Sequence, residues 1–162
     1  MTSFRVGQGF DIHPFTDDVS RPLILAGVRF DGATGLAGHS DADAVAHALT
    51  DALLGAADLG DIGTHFSDTD PQWKGADSMR ILASAVNMVR QLGWVVANAD
   101  ITVVLELPKL APHKAAMKQQ LEAVVGAPVS VKAKRGEGLG AIGRREGIAC
   151  FAVCLLTKGD TP

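Results

Sequence analysis

Gly38-His39-Ser40-Asp41-Ala42-Asp43-Ala44-Val45-Ala46-His47 is the stretch on which the reading of this chain turns. It joins a glycine-rich connection to an alanine-rich run, and places two histidines and two carboxylates at the junction. Ser40 or Asp41 is expected to cap a helix whose apolar stripe is Ala44, Val45, Ala48, Leu49, Ala52, Leu53 and Ala56, ending near Leu59-Gly60. On that helix Asp43, His47 and Asp51 fall at i, i+4 and i+8, on one face. A second set, Asp11-Ile12-His13, follows Gly7-Gln8-Gly9-Phe10. On a strand, Asp11 and His13 project to the same side, because side chains alternate. Taken singly, each of these residues reads as a solvated polar group or a hydrogen-bonded histidine. Together, imidazoles and a carboxylate from two distant segments make the ligand set that zinc prefers. Asp11, His13 and His47 are the expected ligands, with His39 and Asp51 supporting them or facing substrate. Three protein ligands leave a coordination position open, which is the arrangement of a catalytic site.

Working outward, residues 4–15 and 22–30 read as strands that form a hairpin-like opening, joined by a loop at Asp17-Asp18. Residues 61–75, polar and punctuated by Gly63, Pro71 and Gly75, read as a functional loop with at most a short turn of helix. Asp77 or Ser78 caps a second helix reaching about Leu92, and residues 112–125 form a third, closed by Gly126. Residues 94–107, 129–133 and 147–156 are rich in Val and Ile and read as strands, with a loop over 134–146. The order β-β-α-α-β-α-β-β predicts an α/β (α+β) chain with a mixed β-sheet and helices on one face.

A chain of 162 residues fits a single domain, 1–162, that needs no disulfide to stand up. Forty-seven per cent apolar residues is rich enough to leave surface for burial between subunits. A net charge of −3 without a basic block argues against nucleic acid and anionic membrane as partners. No apolar run approaches the ~20 residues of a membrane span, and the first residues carry no apolar signal core, so a cytoplasmic protein is expected. Cys150 and Cys154 share one face of a strand and read as reduced, buried thiols.

Lys132-Ala133-Lys134-Arg135-Gly136-Glu137-Gly138-Leu139-Gly140 follows a strand and mixes cations with glycines. Such a loop lets backbone amides approach phosphates, with Lys or Arg completing the charge; a mobile surface loop is the equal alternative. In the first case Glu137 is free to hold a phosphate-bridging cation of the magnesium type. Pro108-Lys109-Leu110-Ala111-Pro112 is a rigid turn at a helix start, where an anion is favoured.

These motifs together resemble the 2-C-methyl-D-erythritol 2,4-cyclodiphosphate synthase family. The likeness runs through Gly9-Phe10-Asp11-Ile12-His13, Gly38 to Asp43, His47 to Ala56, Leu59-Gly60-Asp61-Ile62-Gly63, Asp68-Thr69-Asp70-Pro71, Lys74 to Ser78, Pro108-Lys109 and Gly143-Arg144, nearly the whole chain. It implies a homotrimer with each active site between neighbouring subunits, and one Zn2+ per subunit on Asp11, His13 and His47. It implies that His39, Ser40, Asp61, Ile62, Gly63, Phe66 and Asp68, beside Asp11 and His13, hold a methylerythritol phosphate. Leu105, Pro108, Lys109, Leu110, Ala111, Ala133, Lys134 and Arg135 correspond to the cytidine diphosphate pocket, and Glu137 to the ligand of Mg2+ or Mn2+ on the diphosphate. His39, Lys134 and Glu137 stand at the catalytic positions. Arg144, with Glu146, lies beside an expected trimer-axis cavity that can hold an isoprenoid diphosphate; an intersubunit ion pair is the plainer reading.

Three departures stand out. Lys134-Arg135-Gly136 replaces a threonine run, so nucleotide binding should gain electrostatic character; Ser67 replaces a proline before Asp68; Ala141 replaces an aromatic residue. The implied reaction is cyclisation of 4-diphosphocytidyl-2-C-methyl-D-erythritol 2-phosphate with expulsion of CMP. Two rivals stand beside it: a metal-dependent phosphohydrolase that uses the same ligands, and a module that binds an isoprenoid diphosphate near Arg144 and Glu146 without chemistry.

Overall fold

The computed structural model of the chain describes residues 3–67 and 69–158. Its frame is a four-stranded sheet in the order β1-β6-β4-β5, formed by β1 (Ser3–Pro14), β4 (Val95–Val104), β5 (Val129–Lys134) and β6 (Gly147–Lys158). β6 is antiparallel to both β1 and β4, while β4 and β5 run parallel, so the sheet is mixed as expected. The crossover from β4 to β5 carries the helix α4 (Lys114–Val125), as a parallel pair requires.

The opening of the chain differs from the hairpin that the sequence suggests. β1 pairs with the last strand, from Ser3 opposite Lys158 to Pro14 opposite Gly147. Residues 22–30 are not one strand but the start of a separate hairpin, β2 (Pro22–Leu25) and β3 (Val28–Thr34). Its two-residue turn holds Ala26 at φ 54° and Gly27 at φ 70°. Both signs match the turn that suits a twisted hairpin, but the usual Asn-Gly or Asp-Gly signal is missing. What holds Ala26 in the left-handed region is a distant carboxylate. Asp43 accepts the backbone N–H of Ala26 at 2.8 Å and of Gly27 at 2.7 Å.

The same carboxylate caps α1 (Ala44–Ala56), accepting from Val45 and Ala46 at 3.1 Å each. The cap is therefore Asp43, not Ser40 or Asp41. Asp43 is fully buried, and burial pushes its carboxyl up to about 6 against four opposing N–H donors. α3 (Ser78–Gln91) is capped by Asp77 and packs on α1. α4 begins at Lys114 rather than at residue 112. The loop over 61–75 contains one helical turn, α2 (Ile62–His65), and a 3-10 turn at Pro71–Trp73. The loop over 134–146 contains another, α5 (Gly140–Gly143).

α1 lies against β1 and β6 at unusually short range. A Cβ built on Gly9 would sit 1.9 Å from the Ala48 carbonyl oxygen, and one on Gly7 1.9 Å from that of Ala52. Alanines 48, 52 and 56 on the facing side of the helix complete this contact of backbone on backbone. Around it the core is filled by Leu23, Leu25, Leu49, Leu53, Leu82, Ile101, Met117, Leu121, Ile148 and Leu156. Cys150 and Cys154 are free and buried on the same inner face, and burial raises both thiols, Cys154 to about 11. Among the described residues no helix is long and apolar enough to cross a membrane.

The outer face of the sheet has no such cover. Phe4, Phe10 and Ile12 of β1 and Phe151 and Val153 of β6 stand exposed there, with the Phe10 and Phe151 rings 4.9 Å apart.

The glycine contact yields a direct test. Gly9→Ala should cost about 3 kcal/mol or more in urea unfolding, at the severe end of overpacking, because backbone rather than a movable side chain opposes the methyl. Any folded remainder should have lost its metal affinity, since α1 must back away from β1. An unchanged unfolding midpoint would show that the contact is slack.

Candidate metal-centred active site

β1 delivers Asp11 and His13 from its inner, odd-numbered positions, just beyond Gly7 and Gly9. α1 delivers His47 from its first turn. Because the strand and helix backbones touch, the three side chains converge. Asp11 Oδ2 lies 2.9 Å from His13 Nε2 and 3.1 Å from His47 Nδ1, and the two nitrogens are 3.3 Å apart. Ligands at 2.0–2.1 Å around a tetrahedral zinc are separated by about 3.3 Å, so this donor triangle needs little adjustment to accept one. The side chains are 24, 18 and 12% exposed, leaving one open approach to the triangle.

The electrostatics suit a cation. Burial pushes the Asp11 carboxyl up, but hydrogen bonds and charge from His13 and His47 outweigh it and bring it down to about 2. Burial also pulls the His13 imidazole down, and the Asp11 carboxylate overcomes that and holds it above its ordinary range. His13 Nδ1 donates to the Ala37 carbonyl at 2.7 Å, which leaves Nε2 as the lone-pair nitrogen facing the triangle. Gly38 makes room for that ring: a Cβ there would lie 3.1 Å from His13 Cε1.

The triangle opens into a cleft of about 430 Å³ lined by Asp11, His13, Gly38, His39, Ser40, His47, Ile62, Gly63, Phe66, Trp73 and Ile81. Here the structure assembles most of the residues expected to face the methylerythritol end. His39 Nε2 lies 3.3 Å from the Asp70 carbonyl, and Ser40 is buried with its hydroxyl 3.1 Å from His47 Nε2. Asp51 is not among the residues lining the cleft, though its carboxylate feels the charges of Asp11 and His47. It accepts the Ile62 N–H at 2.7 Å and so ties the loop over 61–75 to α1; burial raises its carboxyl. Asp61 is exposed and caps α2, with the Thr64 hydroxyl and N–H holding its carboxyl below its ordinary range. Asp68 lies outside the described residues.

A second cleft, of about 270 Å³, brings together Leu105, Pro108, Lys109, Leu110, Ala111, Ala133, Lys134 and Arg135, all of them expected neighbours. Glu106 and Lys114 line it too, and sequence reading passed over both. Glu106 matters most. Its side chain is 4% exposed, and Arg135 donates to its Oε2 through Nε at 2.9 Å and Nη2 at 2.8 Å. The Arg135 charge is therefore partnered within the chain while its side chain still lines the cleft. Lys134 carries no such partner among the described ion pairs. Glu137 is exposed beyond β5, at φ 51°. Arg144 and Glu146 pair with each other at 2.6 Å within the chain.

The clefts share no lining residue. The first is built beside β1, at one edge of the sheet, and the second beside β4 and β5, at the other.

The sequence profile of the YgbB family matches residues 4–157. The 2-C-methyl-D-erythritol 2,4-cyclodiphosphate synthase of Bordetella avium is 53% identical over 158 residues, covering 96% of this chain and 96% of that protein. The solved structure of the bifunctional IspDF from Campylobacter jejuni superposes with a TM-score of 0.93 at 43% identity; it covers 99% of this chain, which spans 44% of that longer protein. The Plasmodium falciparum IspF CDP complex gives a TM-score of 0.84 at 31% identity, over 98% of each chain.

The raised His13 sets a sign for pH dependence. A proton held there must leave before a metal binds, so zinc affinity should fall on acidification. The expected slope is about tenfold per pH unit for each proton displaced, followed by chelator competition from roughly pH 8 to 5. An affinity flat across that range would remove His13 from the ligand set.

Proposed function

The chain belongs to the YgbB family, and from that and the site geometry we infer that it acts as a 2-C-methyl-D-erythritol 2,4-cyclodiphosphate synthase. It converts 4-diphosphocytidyl-2-C-methyl-D-erythritol 2-phosphate to the 2,4-cyclodiphosphate and CMP. The observation that carries the reading at the site is the triangle of Asp11, His13 and His47 opening on a cleft.

In this reaction an oxygen of the 2-phosphate attacks the β-phosphorus of the same molecule. A new P–O bond forms as the bond to the CMP phosphate breaks, and CMP departs with that oxygen. Two anions must be brought together, so the protein's work is charge neutralisation and in-line placement. Zinc held by Asp11, His13 and His47 would supply positive charge to the 2-phosphate side; the two imidazoles and one carboxylate support zinc over a harder ion. His39 and Ser40 border the same cleft and would orient that phosphate. Lys109 and Lys134 border the second cleft and are placed to draw the nucleotide diphosphate, with the exposed Glu137 able to hold Mg2+ or Mn2+ against it. Because the reaction is intramolecular, positioning alone can supply about 7–11 kcal/mol of the barrier reduction.

One substrate must reach both clefts, which sit at opposite edges of the sheet. That geometry supports an active site completed by a neighbouring copy, with the uncovered apolar face carrying Phe4, Phe10, Ile12, Phe151 and Val153 as the surface that joins a homotrimer. Arg144 and Glu146 satisfy each other, which leaves less charge for an isoprenoid diphosphate at a trimer axis. A cytoplasmic setting accords with a small-molecule biosynthetic role.

His47→Ala should abolish formation of the cyclodiphosphate and of CMP, with zinc content falling below stoichiometric while the oligomer persists in sedimentation. Free inorganic phosphate as the wild-type product would instead identify a phosphohydrolase.

The Arg135–Glu106 pair sets a second test. Arg135→Thr should leave the salt dependence of CDP binding nearly unchanged, because the charge it removes is already compensated. Glu106→Gln should steepen that dependence by releasing the guanidinium. A flattened salt dependence in Arg135→Thr would restore Arg135 as a direct phosphate contact.

A further inference from the structure

His47 faces Asp11 and His13 through Nδ1, and its other ring nitrogen points away from them into a buried hydroxyl pair. Nε2 lies 2.8 Å from Ser78 Oγ and 3.1 Å from Ser40 Oγ. Ser78, the first residue of α3, is fully buried. It is held twice by one carboxylate: its hydroxyl donates to Asp41 Oδ1, and its backbone N–H donates to Asp41 Oδ2 at 3.1 Å. Ser40 Oγ accepts the Ala42 N–H at 3.2 Å and lies 3.2 Å from Ser78 Oγ, where its own proton can go.

A serine hydroxyl has one proton, and an ionised carboxylate can only accept. Once the Ser78 proton is committed to Asp41, Ser78 Oγ meets His47 as an acceptor. Nε2 must then carry a ring hydrogen, which leaves Nδ1, 3.1 Å from Asp11 Oδ2, as the nitrogen whose lone pair a metal can take. His13 is set the opposite way by a backbone carbonyl, which leaves its Nε2 as donor atom. The two imidazoles thus present different nitrogens to one point, as their placements on strand and helix demand. Only the His47 arrangement is set by side chains, so only it can be reversed by substitution.

We propose that Asp41 and Ser78 are positioning residues of the metal centre: they act as a relay from carboxylate to hydroxyl to imidazole that fixes the ring orientation and tautomer of His47. The proposal rests on the reading of Asp11, His13 and His47 as metal ligands. The relay also explains why Ser78, which looks like an ordinary helix-capping residue, is fully buried beside the site with a half-buried Asp41 against it. Groups that orient a ligating histidine commonly hold 10–100-fold of metal affinity.

The test compares zinc affinity, by chelator competition at fixed pH, among wild type, Ser78→Ala, Ser78→Thr and Asp41→Asn, with apo-protein unfolding midpoints measured alongside. Ser78→Ala should bind zinc about 10–100-fold more weakly, and Ser78→Thr, which keeps the hydroxyl, should recover most of that loss. Asp41→Asn changes almost no volume, but its amide can donate to Ser78 Oγ and turn that hydroxyl toward Nε2. It should lower zinc affinity by a similar factor. Long-range proton–nitrogen NMR of the apo protein reads the ring protons directly: Nε2 should carry one in wild type and lose it in Asp41→Asn. A wild-type His47 found without a proton on Nε2 would overturn the relay whatever the variants do. So would zinc affinities of Ser78→Ala and Asp41→Asn within about threefold of wild type. Failure of the wild type itself to bind zinc would instead remove the ligand reading on which the relay depends.

Discussion

The contact of β1 on α1 is the constraint from which the rest follows. Gly7 and Gly9 have no Cβ, and the helix turns alanines toward them, so strand and helix backbones meet within van der Waals range. The next inward positions along the same strand are Asp11 and His13, and the facing turn of the helix ends in His47. At an ordinary strand-to-helix distance of about 10 Å, set by full-sized side chains, these donors would not form a triangle with 2.9–3.3 Å sides. The small residues that weaken the local propensity of β1 are thus what allow the site to exist.

A buried carboxylate sets the other coordinate of α1. Asp43 ties the turn of the β2–β3 hairpin to the first N–H groups of the helix, so hairpin and helix are placed by one group. Burying it is unfavourable for the charged form, which is why its carboxyl is pushed up to about 6, yet four N–H groups would be left without partners were it absent. Asp41, two residues earlier, does related work on α3 through Ser78. Both aspartates of the opening motif are therefore spent on joining elements, and neither on the metal. Each elongates the reach of the segment 38–47: one end holds a hairpin, the other a helix, and His47 is oriented between them.

The distribution of charge around the second cleft follows the same logic of local satisfaction. Glu106 is almost wholly enclosed, and an enclosed carboxylate needs a partner. Arg135 supplies it while still lining the cleft, and Lys134, one residue earlier, lines it without an ion pair of its own among the described residues. The metal triangle lies at one sheet edge and this cleft at the other, and the two share no lining residue. The apolar outer face supplies the surface by which copies can bring opposite halves together.

Much of this was written in the chain itself. The alanine stripe of α1, the Val- and Ile-rich strands and the Asp-x-His beside a His-rich helix start were enough for the fold class and for the ligand set, because periodicity and donor chemistry are local properties of sequence. The pairing of β1 with β6 was not, since strand partners are chosen by long-range packing and neighbouring strands in sequence are only the default. Nor was the break at Ala26-Gly27, where a left-handed alanine is held by a carboxylate sixteen or seventeen residues away. Asp43, Asp41 and Ser78 read from sequence as interchangeable capping types, and only their burial and partners separate the helix cap from the relay. Arg135 read as free charge because nothing in its own loop shows that Glu106 will be enclosed beside it. What sequence alone determined is which groups this protein has for holding a metal and a phosphate; what tertiary structure decided is which of them are left free to do so, because a buried polar group must first be satisfied by whatever the fold brings within reach.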